Sequence, residues 1–212
     1  PSTVAVMLEP IQGEAGVWPA TDRFLQQLRA LTKYHGLLLI FDEIQTGLSR
    51  TGPLYSYQDL GVTPDVMTLA KSLGGGVPIG AVVASPRYQD TFRPGDHGST
   101  FAGGALACAA ALATCHVLED PALQANVRRC GDRLRAGLRQ LVDEGYAVDV
   151  RGRGLMVAID LIGDGSAPRA RNRGPPPRGR FPPAPGRPDH RRDSRDRSLE
   201  APWPCDVVFR AG

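Results

Sequence analysis

Two residues stand where chemistry is easiest to build. Asp42 closes the unbroken apolar run Leu37-Leu38-Leu39-Ile40-Phe41, and Lys71 closes a second, Val66-Met67-Thr68-Leu69-Ala70. In open α/β sheets, ligands bind in the crevice beyond the carboxyl ends of the strands. An acid and an amine delivered there by neighbouring strands can meet across one ligand. Burial beside an apolar strand lowers a lysine's pKa and frees the amine for a Schiff base. Lys33 and Lys71 are the chain's two lysines, so each is informative. Taken singly, Asp42 also reads as a helix N-cap or surface ion pair, and Lys71 as a lysine whose stem covers apolar surface.

The pyridoxal cofactor requires such a pair. An amine forms an imine with its aldehyde, and a carboxylate keeps the pyridine nitrogen protonated, so that the ring serves as an electron sink. His97, in a Gly-rich loop, reads as a loop hydrogen-bonder and not as a base, since the lysine fills that role. Trp18 and Tyr55 read as aromatic packing. Gly74-Gly75-Gly76 reads as a turn, because no Gly-Lys-Ser/Thr follows it.

Positioning these residues requires a layered α/β frame. Val4–Leu8 reads as a strand ending at Glu9-Pro10. Thr21-Asp22 opens a helix with Phe24, Leu25, Leu28, Leu31 and Thr32 at helical spacing, and Gly36 closes it. The run ending at Phe41 suits a strand covered on both faces. Ile79–Ala84 is a further strand. An Ala-rich, apolar stretch, Gly103–Leu118, reads as a long, well-buried helix. Ala122–Glu144 reads as another, with Leu134, Leu138 and Leu141 inside and arginines outside. Ala147–Val150 and Leu155–Leu161 read as strands flanking Arg151-Gly152-Arg153-Gly154. The pattern predicts an α/β fold, divided into residues 1–118, the later part of a large domain, and 119–165, the start of a small α+β domain.

Composition sets the tail apart. The net charge of +3 conceals 14 Lys/Arg against 17 Asp/Glu in residues 1–165 and 11 Arg against 5 acids in 166–212. The body is mildly acidic, which argues against a nucleic-acid binder. Residues 166–212, with Pro175-Pro176-Pro177 and runs of arginine, show no hydrophobic period and read as disordered. A product of a shifted reading frame is the favoured account, ahead of a solvated linker or a basic arm. The first strand follows Pro1 at once and reads as one whose preceding sequence is missing. It is too short for a membrane span and lacks a signal peptide's basic flank. Cys108, Cys115, Cys130 and Cys205 show no metal-ligand spacing, so no metal and a reducing, cytoplasmic compartment are expected.

Six words occur in order: Leu8-Glu9-Pro10-Ile11-Gln12-Gly13-Glu14-Ala15-Gly16, Phe41-Asp42-Glu43-Ile44-Gln45-Thr46-Gly47, Arg50-Thr51-Gly52, Pro64-Asp65, Ala70-Lys71-Ser72-Leu73-Gly74-Gly75-Gly76 and Gly95-Asp96-His97-Gly98-Ser99-Thr100-Phe101. Each is weak alone; the ordered series is specific. Over roughly residues 3 to 162 it resembles the class III aminotransferases of the ornithine and acetylornithine type. The resemblance implies a fold-type I pyridoxal-phosphate transferase: part of a three-layer αβα large domain, then the start of the small domain. It implies an amino group moved from N-acetylornithine or an ornithine-like donor to 2-oxoglutarate by a ping-pong route, in arginine biosynthesis. Gly76–Ala81 and Phe101–Ala110 look most like that branch. Donors such as ornithine or 4-aminobutyrate, a semialdehyde aminomutase, and an inactive fragment are the alternatives.

Residue by residue, Lys71 matches the cofactor-bearing lysine that also shuttles the proton, and Asp42 the acid on the pyridine nitrogen. Gln45 matches the amide beside the phenolic oxygen, with Glu43 and Ile44 part of the same cofactor-binding word. Thr100 matches a hydroxyl on the neighbouring subunit's cofactor phosphate, which implies a homodimer. Ser99 matches a position near substrate, and Glu14 an acid that pairs with a substrate-binding arginine. Neither a membrane nor a nucleic acid is implied as a partner. The family's phosphate loop and stacking aromatic would precede residue 1, and its carboxylate-binding arginine would follow Leu161. A Gly-Asn-Pro turn usual after the threonine is replaced by Ala102-Gly103-Gly104-Ala105.

Overall fold

The computed structural model describes residues 2–88 and 90–162, and the backbone of 206–208. In chain order the first elements are β1 (Ala5–Leu8), β2 (Ile11–Gln12), β3 (Trp18–Pro19), α1 (Asp22–His35), β4 (Leu38–Asp42), β5 (Val66–Leu69) and β6 (Gly80–Ala84). Two helices follow, α2 (Ala105–Leu118) and α3 (Pro121–Asp143). Then come β7 (Ala147–Arg153), β8 (Met156–Leu161) and β9 (Asp206–Val208).

Five strands form a mixed sheet in the order β1-β4-β5-β6-β9. β1, β4 and β5 run parallel, β6 lies antiparallel to β5, and β9 parallel to β6. The remainder of the segment 166–212, with the expectation of disorder attached to it, and Cys205 lie outside the described residues. At Asp206–Val208 the chain departs from that expectation by pairing with Gly80–Val82.

α1 begins and ends where its caps dictate. The Thr21 hydroxyl accepts the Phe24 N–H at 3.2 Å, and Gly36 takes the left-handed conformation at φ 65°. That conformation suits a residue without a Cβ, and it frees the Gly36 N–H for the Lys33 carbonyl. The helix buries Leu25 and Thr32, while Phe24 and Leu31 are about half exposed, so the packing stripe is narrower than the spacing suggested. Leu25 meets Leu39, Phe41, Leu60 and Val62 in one core cluster. Full burial of side chains such as Leu39 and Phe41 contributes about 1.5–3 kcal/mol each. Asp65 ties helix to sheet. One carboxylate oxygen accepts both the Arg29 guanidinium and the Leu39 N–H at 2.8 Å.

The sheet has unequal faces. Leu39, Phe41, Met67, Leu69 and Ala81 are buried, whereas their alternates Leu38, Ile40, Asp42, Val66, Thr68 and Val82 are half-buried. Cover on both faces of β4, expected from its apolar run, is complete on one face among the described residues. α2 packs through Ala111 against Leu48, Met67, Leu69 and Leu73. It was expected to be well buried, yet Leu106, Leu112 and Val117 are exposed. Its apolar composition surrounds the helix, and one stripe alone finds partners here.

α3 is capped by Asp120, whose carboxylate accepts the Ala122 N–H, with Pro121 at the first helical position. Its buried contact is Gly131, where a Cβ would stand 2.1 Å from the Gly154 carbonyl oxygen. The expected interior position of Leu134 is corrected: it is 43% exposed, and Arg135 instead turns inward to the Gly152 carbonyl. That close approach rotates the packing face away from the leucine stripe. β7 and β8 form a separate antiparallel hairpin, and β7 runs through Arg153, so the Arg-Gly repeat is strand and not the turn. Gly154 at φ 53° and Leu155 make the two-residue turn. No single described helix is long and apolar enough to cross a membrane.

Candidate active site

Parallel pairing brings the two chemical residues to one edge. Asp42 is in register with Thr68, and Lys71 follows Thr68 by three residues, at the start of a 3-10 turn over Lys71–Gly74. Both strands end here at their carboxyl ends, as the topology of an open α/β sheet favours for a ligand site.

Asp42 is half-buried and held by its own chain: its Oδ1 accepts the Ile44 N–H at 3.0 Å. Its Oδ2 accepts no hydrogen bond from the described residues. Thr68 beside it carries a buried hydroxyl without a partner there. Lys71 is exposed and forms no ion pair among the described residues. It also adopts φ 50°, a left-handed conformation that costs a residue with a Cβ about 1–2 kcal/mol. The strain is held by the turn, through the bonds from Leu73 N–H to the Ala70 carbonyl and from Gly75 N–H to the Ser72 carbonyl. α2 braces the turn from outside: a Cβ on Gly75 would stand 2.8 Å from the Thr114 hydroxyl.

Glu43 contributes architecture. Its side chain is fully buried, and its carboxylate accepts the Thr46 hydroxyl, the Ser56 N–H and the Tyr57 N–H at 2.8–2.9 Å. Parallel strands need a crossover connection, and the segment 43–65 between β4 and β5 has a single 3-10 turn, Ser56–Asp59, for regular structure. Glu43 is the polar centre around which it winds. Burial pushes its carboxyl pKa up, and the three donors only partly offset this.

Gln45, half-buried, lies against the turn after β2: a Cβ on Gly13 would stand 2.5 Å from the Gln45 side-chain oxygen. The Gly13 N–H donates to the Glu9 carboxylate. The first and second sequence words thus meet. Glu14 sits exposed on that turn and forms no ion pair among the described residues. Ser99 and Thr100 lie in the exposed segment 90–101, remote in sequence from both Asp42 and Lys71. His97 packs edge-on to Phe92, and Tyr55 stacks on Tyr57. Two notable residues near this region were not singled out in the sequence. Thr68 was legible only as a polar residue in an apolar run, and Arg151, which stacks over Trp18 at 3.7 Å, only as part of an Arg-Gly alternation.

The donor set suits pyridoxal phosphate. A carboxylate with an oxygen to spare and a buried hydroxyl without a partner among the described residues lie in register, with the Lys71 amine three residues beyond Thr68 and the Gln45 amide three beyond Asp42. They match a ligand with a protonated ring nitrogen at one end and an aldehyde at the other.

Comparison with known proteins points the same way. The family model described as aminotransferase class-III matches residues 1–174. The chain is 52% identical to an acetylornithine aminotransferase of Gloeobacter violaceus over 171 residues, covering 80% of this chain and 42% of the relative. It is 46% identical to the 5-aminovalerate aminotransferase DavT of Pseudomonas aeruginosa, covering 78% and 40%. Among solved structures, the ornithine δ-aminotransferase of Plasmodium falciparum superposes with a TM-score of 0.70 at 39% identity, covering 75% and 42%. The chain spans about two fifths of the length of the curated relatives it matches.

Proposed function

Given that the chain belongs to the class III aminotransferases, we propose that it forms the lysine-bearing part of a pyridoxal-phosphate enzyme. That enzyme moves an amino group from N-acetylornithine, or an ornithine-like donor, to 2-oxoglutarate. The observation that supports this reading is the register of Asp42, with its spare oxygen, against Thr68, three residues before the strained Lys71.

Pyridoxal phosphate, when bound, supplies an aldehyde and an electron-withdrawing ring. The chain supplies the rest. Lys71 would hold the cofactor through its amine, and the same amine, when free, would serve as the base that moves a proton at the donor carbon. Asp42 would hold the proton on the ring nitrogen, its carboxylate steadied by the Ile44 N–H. The Gln45 amide would donate to the ring's phenolic oxygen, and Glu43 and Ile44 fix the segment that carries Asp42 and Gln45. Ser99 and Glu14 would stand near substrate, Glu14 as the acid for a substrate-binding arginine that it does not meet among the described residues. Thr100 reaches the phosphate held by a second subunit of a homodimer. Its position on an exposed segment supports that role.

The reading is tested by incubating the protein with pyridoxal phosphate, reducing with borohydride and mapping the labelled peptide. Label on Lys71, lost in Lys71→Ala, is the expected result; label on Lys33 overturns the reading. Similarity to a 5-aminovalerate aminotransferase favours, as a second reading, a donor with a terminal amine and no α-amino group. Comparing turnover of N-acetylornithine, ornithine and 5-aminovalerate separates the two.

A further inference from the structure

β7 ends on Arg151-Gly152-Arg153, with Gly154 opening the turn, and residues two apart on a strand share a face. Arg151 reaches Gly16 and Arg153 reaches Asp22, both in the first part of the chain. The glycines lie where no side chain fits: a Cβ on Gly152 would stand 2.0 Å from the Met156 carbonyl oxygen, and one on Gly154 2.5 Å from the Thr51 carbonyl carbon. The Leu155 N–H adds a bond to the Arg50 carbonyl at 3.0 Å. The hairpin is thus seated on the β2–β3 turn, the start of α1 and the Arg50-Thr51 segment.

Arg151 differs from the others in where its bonds end. Its Nε donates to the Gly16 carbonyl at 2.8 Å, and its guanidinium lies 3.7 Å from the Trp18 ring centre. Its terminal nitrogens donate to Asp160 at 2.6 and 3.0 Å and to Asp149 at 3.0 Å. A planar fork held by two carboxylates and stacked on an indole has little freedom to turn. Gly16 belongs to a tight turn in which the Gly16 and Val17 N–H groups both donate to the Gly13 carbonyl at 3.1 Å. Val17 sits at φ 57°, an outlying conformation for a β-branched residue, so the turn is strained and needs an external hold. At its near end Gly13 touches the Gln45 amide, and Glu14 stands on its crest.

We propose that Arg151 is a positioning residue for the cofactor site. From the second sheet it holds the Gly13–Val17 turn, and through that turn it sets where the Gln45 amide and Glu14 stand. The proposal deepens the reading above and rests on it for the cofactor alone.

Amide hydrogen exchange and reductive labelling with pyridoxal phosphate together test it. In Arg151→Met the Gly16 and Val17 amides are expected to exchange about tenfold faster or more, with those of α1 unchanged. Lys71 labelling at neutral pH falls about threefold or more, because a small misplacement at a site is felt strongly. Arg153→Met, which loses only the Asp22 pair, moves neither readout. If Arg151→Met fails to fold, Asp160→Asn loosens the fork and is expected to shift both readouts in the same direction by less. Unchanged exchange in whichever variant folds, or an equal effect from Arg153→Met, overturns the proposal. Faster exchange in a protein whose wild type takes no label on Lys71 upholds the clamp and overturns only the cofactor reading.

Discussion

Two polar, Gly-containing segments of this chain carry residues matched to the site, and the fold treats them differently. The segment 43–65 is wound around the buried Glu43, with Thr46, Gly47, Leu48, Ser49, Thr51 and Ser56 all buried. The segment 90–101 has Phe92 and Phe101 largely exposed, and every residue from Asp90 to Phe101 is exposed. The first encloses a carboxylate that only its own chain can satisfy. The second presents Ser99 and Thr100 outward, as a segment meant for another surface would. A polar residue can therefore be satisfied within the chain, as Glu43 is, or left for a neighbour, as proposed for Thr100.

The sharpest way to break this contrast is to remove its centre. Glu43→Ala strands the Thr46 hydroxyl and the Ser56 and Tyr57 N–H groups, so a loss of about 3 kcal/mol or more is expected in urea unfolding. Thr100→Ala and Ser99→Ala, on the exposed segment, should each lie within about 0.5 kcal/mol of wild type. Equal losses in the two segments would erase the distinction.

A pH series sharpens it further. Burial raises the Glu43 pKa above its ordinary 4.5, so the folded state binds the proton more tightly than the unfolded chain. The resulting stabilisation is complete below the unfolded pKa and is lost as pH rises through the folded one. Wild type should thus lose stability across that window, and Glu43→Gln, though less stable throughout, should lack this component of the slope. A slope of the same size in both proteins would show that Glu43 is ionised at no cost.

Smaller effects probe the site edge and the turn that feeds the second segment's helix. Asp42→Asn keeps an acceptor for the Ile44 N–H, so stability should change by about 1 kcal/mol or less while Lys71 labelling drops. Gly104 is the N-cap of α2 and has no side chain to accept a helix N–H. Gly104→Asn should raise stability by a few tenths of a kcal/mol.

Much of this was legible in one dimension. Thr21 and Gly36 delimited α1, because capping is decided by residues adjacent in the chain. The apolar runs ending at Asp42 and Lys71 marked strands, and the ordered words around them marked the family. What the words do was less legible. Glu43 and Asp42 are neighbours of the same chemical type, yet one is a buried strut and the other offers an oxygen at a sheet edge. Alternation along a strand sends them to opposite environments, and nothing in their identity says which environment is solvent.

The same limit explains the misjudged helices. Apolar content in α2 and a leucine stripe in α3 record what a helix is able to bury, and the partner decides what it does bury. In α3 that partner is the Gly154 turn, reached only because Gly131 lacks a side chain. The sequence by itself determined element types and caps, and singled out Asp42 and Lys71 as candidates, since these follow from local preference and period. Tertiary structure alone decided the register of Asp42 with Thr68, the strain at Lys71 and the grip of Arg151 on a turn 135 residues away. Those arise from contacts between distant segments, whose geometry no local pattern encodes.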